Sequence, residues 1–143
     1  EGIRPDEKAA VEWLVQRSEA TVVIVDGYNA AFKLTSARDP AVMRQRALMA
    51  LERVQQVARG PMRVVVVFDS RLGPVGESAS LGPVEVRFTA EAGGADEEIA
   101  VLAGALGGAR VVVSSDRAVR EAATAVGAVT FWSEALRDWW RRR

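Results

Sequence analysis

Four aspartates, Asp26, Asp69, Asp96 and Asp116, stand at the ends of hydrophobic runs or at the head of a helix-forming stretch. Carboxylates are the donors preferred by hard divalent cations such as Mg²⁺ and Mn²⁺. The chain has 143 residues and contains neither histidine nor cysteine. Paired-imidazole ribonuclease chemistry, histidine-ligated zinc hydrolysis and serine-histidine triads are therefore excluded, as are disulfides, thiolate metal sites and cysteine nucleophiles. Among the groups that remain, an acidic cluster holding a divalent cation is the commonest way to hydrolyse a strong ester bond.

The elements that must position these acids follow from periodicity. Branched, apolar runs predict strands at Thr21 to Val25, Arg63 to Phe68, Val84 to Phe88, Arg110 to Val113 and Ala128 to Phe131. Helical spacing predicts helices over Glu7 to Arg17, from the Asp39-Pro40 cap to the Gly60-Pro61 stop, over Ala95 to Leu106, over Arg117 to Val126, and from Ser133 to the terminal arginines. Ser70 to Pro83, rich in Gly, Pro and Ser, reads as a long connection. Strands alternating with helices imply an α/β fold with a mainly parallel sheet of about five strands, covered on both faces. In such a sheet Asp26, Asp69 and Asp116, at or just past strand ends, and Asp96, opening a helix, all reach the C-terminal edge where ligands bind.

Each acid also has a purely structural reading: Asp96 and Asp116 as helix caps or first-turn acids, Asp26 before Gly27 as part of a turn. Together they are harder to explain, because carboxylates about 5 Å apart repel by ~3 kcal/mol per pair at an effective dielectric of 20. Asp96 is expected on the flank of the Ile99-Leu102-Leu106 stripe, with Glu98 on the other flank and Glu97 in solvent. Asn29, in Asp26-Gly27-Tyr28-Asn29, could orient a carboxylate or donate to a phosphate. Arg44, early in its helix, opposes the helix dipole unless it meets an anion.

Formal net charge is zero, so no overall basic field points to nucleic acid. The cations are nearly all arginine, Lys8 and Lys33 being the only lysines, and arginine suits bidentate phosphate contacts. No stretch is long and apolar enough to span a membrane. The absence of cysteine fits a reducing cytoplasm. Residues 1–20 read as a helical leader, the end of a preceding region, and residues 21–143 as the domain proper; Glu1 in place of methionine fits a piece of a longer protein. The Trp132, Trp139 and Trp140 region is either a contact surface or the inner face of a terminal helix.

The segments VVIVDGYNA (Val22 to Ala30), VVVVFDS (Val64 to Ser70), VEVRFTAEAGGADEEI (Val84 to Ile99) and VVVSSD (Val111 to Asp116) resemble the NYN family, in its YacP-like bacterial branch, within the PIN-like nuclease superfamily. The MRQRALMAL stretch from Met43 and the Gly127-Ala128 step match as well. The resemblance implies a Rossmann-like three-layer α/β/α fold, a Mg²⁺ or Mn²⁺ site and RNA cleavage. It places Asp26, Asn29, Asp69, Asp96 and Asp116 on the motif positions, the four aspartates as metal ligands.

The resulting expectation is a divalent-metal-dependent ribonuclease with Arg44, Lys33, Arg71 and Asn29 on the RNA, and Glu98 and Ser115 in support. The alternative is a non-catalytic RNA-binding module of a larger or ribosome-associated assembly. Expected partners are accordingly RNA, the ribosome and other domains of a longer parent chain. The segments SRLGPVGESASLG after Asp69 and AGG before Ala95 offer no firm anchor, which leaves substrate preference unassigned.

Overall fold

The computed structural model describes residues 8–70, 78–81, 83–89 and 94–142. The chain runs α1 (Lys8–Gln16), β1 (Thr21–Asp26), α2 (Gly27–Leu34), α3 (Pro40–Val57), β2 (Met62–Phe68), β3 (Ser78–Leu81), β4 (Val84–Phe88), α4 (Ala95–Ala105), β5 (Ala109–Val113), α5 (Arg117–Ala125), β6 (Val129–Phe131) and α6 (Ser133–Arg142). The strands make one six-stranded sheet in the order β3-β4-β2-β1-β5-β6. The five expected strands are mutually parallel. β3 adds an antiparallel edge against β4, inside the stretch expected to be only a connection.

The valine-rich strands read as continuous apolar runs because both faces of the sheet are covered. Val23, Val25, Val64, Val66, Phe68, Val111 and Val113 pack against α1, α2, α3 and α6. The alternate residues Ile24, Val65, Val67 and Val112 pack against α4 and α5. This is the expected three-layer α/β/α arrangement. α1 is part of it: Ala10, Val11 and Leu14 are buried in the same core as the sheet. Trp139 of α6 is buried there too, so the terminal helix turns this tryptophan inward.

Like β3, α2 was not among the expected elements. Asp26-Gly27-Tyr28-Asn29 is no turn: β1 passes directly into α2. Glycine as its first residue makes a poor local helix signal, and tertiary packing supplies the stabilisation, since Ala30 and Ala31 are both fully buried. Gly27 is required by close approach, because a Cβ there would lie 2.4 Å from Phe68 Cδ1 and 2.9 Å from the Val67 carbonyl oxygen.

Candidate active site

β1 lies at the centre of the sheet, with β2 on one side and β5 on the other. The crossovers diverge from it in opposite directions and leave a crevice at the C-terminal edge, the usual ligand site of an open α/β sheet. A cavity of about 500 Å³ occupies it, lined by Asp26, Tyr28, Asp69, Ala95, Asp96, Asp116 and Val119. All four predicted aspartates therefore share one cavity.

Each arrives by a different local route. Asp26 is the last residue of β1, on the same side of the strand as Ile24, which faces α4 and α5. Asp69 directly follows Phe68, the end of β2. Asp116 caps α5, its Oδ1 accepting from the Ala118 N–H at 2.9 Å. Asp96 stands in the first turn of α4, its Oδ1 accepting from the Glu97 N–H at 3.0 Å. The structural readings of Asp96 and Asp116 thus hold, as a first-turn acid and a helix cap. Asp96 is exposed at the cavity rather than tucked against the Ile99 stripe. Gly94 leaves room for the two acids, since a Cβ there would sit 2.7 Å from Asp96 Oδ1 and 3.8 Å from Asp69 Oδ2.

Asp26 is deeply set, and burial pushes its carboxyl from 3.8 up to about 6. A hydrogen bond from Ser114 opposes the rise, while the carboxylates of Asp116, Asp96 and Asp69 add to it. Ser114 is a residue of the site that reasoning from sequence passed over. It is fully buried, and its Oγ donates to Asp26 Oδ2 at 2.9 Å while accepting from the Asp116 N–H at 3.0 Å. The signal was available in register: Val25 is level with Val113, so the next residues, Asp26 and Ser114, are neighbours across the two strands.

Behind the acids lies a polar network. Asn29 Oδ1 accepts from the Ser115 N–H at 2.9 Å and from Ser133 Oγ at 2.6 Å. The Ser115 hydroxyl accepts from the Ser133 N–H at 3.1 Å and donates to Glu134 Oε1. Lys33 closes the chain with an ion pair to Glu134 Oε2 at 3.3 Å. Asn29 and Ser115 therefore hold the β5–α5 loop, and with it Asp116, against the start of α6.

The remaining candidates separate. Arg44 Nη1 donates to the Tyr28 hydroxyl at 2.8 Å, beside a residue that lines the cavity, and its guanidinium lies over the Phe88 ring. Glu98 pairs with Arg87 at 3.8 Å and is not among the cavity-lining residues. Arg71 lies outside the described residues.

The donor set suits a hard cation, being all carboxylate oxygen. Among the described residues no three acidic side chains stand close enough together to hold a metal ion among them. A hydrated Mg²⁺ or Mn²⁺ is commonly held by one or two carboxylates, its own waters and substrate phosphate rather than by an all-protein shell. The raised Asp26 carboxyl is due first to its burial, and the neighbouring acids add to it.

Comparison with known proteins agrees with this geometry. The YacP-like NYN domain matches residues 23–142. The crystal structure of Rae1 (YacP) from Bacillus subtilis is 30% identical, with a TM-score of 0.67 over 80% of this chain and 70% of that one. Its W164L mutant gives 28% identity and a TM-score of 0.65 over the same shares of the two chains, 80% and 70%. No curated protein sequence matches. With nearly all of the sheet and every predicted acid inside the matched span, the chain belongs to the YacP-like NYN domain family.

Proposed function

We propose that this protein is a divalent-metal-dependent ribonuclease that hydrolyses RNA phosphodiester bonds, as an endonuclease, in the cavity at the sheet edge. The observation that carries the reading is that Asp26, Asp69, Asp96 and Asp116 line one cavity in a chain of the NYN family that has no histidine and no cysteine. These four would hold Mg²⁺ or Mn²⁺, directly or through water; when bound, the ion supplies an acidified water and a Lewis acid for phosphoryl oxygen.

The protein's own groups do the rest. Asp26 is ionised above about pH 6, and Ser114 fixes its rotamer. The N-termini of α4 and α5 face the same cavity through Asp96 and Asp116, and their dipoles favour anions there. Arg44, held on the Tyr28 hydroxyl, would take a backbone phosphate arriving at an otherwise acidic cavity.

The test is incubation of single-stranded and structured RNA with the protein in Mg²⁺, Mn²⁺ or EDTA, beside Asp26→Asn. The reading expects cleavage that needs metal and a loss of roughly a hundredfold or more in the variant. Cleavage in EDTA, or full activity of Asp26→Asn, defeats it. RNA binding without any cleavage, surviving loss of the aspartates, would instead identify a binding module.

A further inference from the structure

α2 carries an aromatic side chain that the fold does not use. Phe32 is 53% exposed, while Tyr28, one turn earlier, is buried against Phe68 and lines the acidic cavity. Residues four apart share a helix face, so Phe32 lies about 6 Å further along the same side of α2, leading away from the cavity.

The ring is held rather than loose. The Arg38 guanidinium lies 4.0 Å from its centroid, and the Lys33 ammonium 5.9 Å. Arg38 is itself anchored, its Nη1 donating to the carbonyls of Thr35 at 2.9 Å and Ala37 at 2.7 Å. One side of the ring is therefore backed by a fixed cation, and the remaining exposed surface faces water. Among the described residues neither Arg38 nor Arg44 has a carboxylate partner. Arg44, on the Tyr28 hydroxyl, is a cation beside the cavity of four acids, and Arg38 is the cation behind Phe32.

An exposed ring backed by guanidinium, next to unneutralised arginines, matches an unpaired nucleobase and its flanking phosphates. Bases stack on aromatic faces with little regard to sequence, and arginine adds cation–π and phosphate contacts. A duplex presents no open base face to such a ring. We infer that Phe32, backed by Arg38, is a stacking platform for one unpaired base of single-stranded RNA whose scissile phosphate lies in the neighbouring cavity.

This rests on the ribonuclease reading for the identity of the polymer, and its test is independent of cleavage. Binding of a short, labelled, unstructured single-stranded RNA is followed by fluorescence anisotropy in EDTA, beside a blunt duplex of the same length. Phe32→Leu, which keeps an apolar side chain and removes the ring, should weaken single-strand binding roughly tenfold. Phe32→Tyr should stay within about twofold, since the π face remains. Duplex binding should be unchanged in both, and thermal melts should coincide because the side chain is exposed. Single-strand binding by Phe32→Leu equal to that of the parent overturns the platform, as does an equal loss on both RNAs or no RNA binding at all. Phe32-dependent binding without metal-dependent cleavage would uphold the platform while the catalytic reading failed. Cleavage with Phe32-independent binding would give the reverse.

Discussion

Ser114 Oγ donates to Asp26 Oδ2 across 2.9 Å and accepts the Asp116 N–H at 3.0 Å, so one buried hydroxyl ties the end of β1 to the start of α5. That bond is the force holding the Asp26 carboxyl down against burial and three neighbouring acids. Removing it in Ser114→Ala should raise the Asp26 carboxyl further, by about one pH unit for a charge-assisted bond. The acid limb of the pH–rate profile for RNA cleavage should shift upward accordingly. An acid limb that stays in place would mean that Ser114 only packs.

Asp26 also sets a pH dependence of stability. Its folded carboxyl, at about 6, lies above the ordinary value of 3.8, so between these limits the folded chain keeps a proton that the unfolded chain releases. Stability therefore falls as pH rises through that window, and the cost, on the order of 3 kcal/mol, is complete above about pH 6. Asp26→Asn removes the charge while its amide oxygen can still accept from Ser114. Urea denaturation in EDTA should find the variant more stable than the parent at pH 8, with the gap closing toward pH 4. A gap that is the same at both ends would contradict the burial account. Added Mg²⁺ should narrow the gap at pH 8 by stabilising the parent alone.

Much of this was legible in the sequence, for a physical reason. Strands buried on both faces leave long valine runs, and an acid abutting such a run, as Asp26 abuts Val25 and Asp69 abuts Phe68, has to sit at the sheet edge. What escaped was stabilised by distant partners. α2 opens on a glycine and is held by the burial of Ala30 and Ala31, neither of which leaves a periodic mark. β3 (Ser78–Leu81) is a polar edge strand whose pairing with β4 is a tertiary fact. The carbonyl oxygen of Asn29 receives Ser115 and Ser133, residues far along the chain, a role its place beside Asp26 did not signal.

Two glycines should respond differently to the same substitution. At Gly27 an added methyl would meet the Phe68 ring at 2.4 Å and the Val67 carbonyl at 2.9 Å, neither of which can give way without disturbing the core. Gly27→Ala should therefore lose about 1–3 kcal/mol, despite the better helix propensity of alanine. At Gly94 the nearest atom is Asp96 Oδ1 at 2.7 Å, the tip of an exposed side chain that can rotate. Gly94→Ala should melt within a few degrees of the parent and yet cleave RNA more slowly, because relief comes from displacing Asp96. Paired thermal melts and cleavage rates decide it; a Gly94→Ala protein with unchanged turnover would remove Asp96 from the working set.

Asn29 offers the sharpest separation of positioning from chemistry. Its Oδ1 is a double acceptor, for the Ser115 N–H at 2.9 Å and Ser133 Oγ at 2.6 Å. Asn29→Ala leaves both donors without their acceptor, at a cost of about 2–3 kcal/mol, and frees the loop that carries Asp116. Asn29→Asp preserves the acceptor and should retain most of the stability. Urea midpoints that fall for Ala and hold for Asp would establish the structural role; equal midpoints would refute it. Cleavage then reports on the amide nitrogen, which only asparagine possesses. If the Asp variant is folded and binds Mn²⁺ yet cleaves slowly, the amide donates to the RNA during reaction. If it cleaves at the parental rate, Asn29 acts solely by holding Ser115, and through it Asp116, in place.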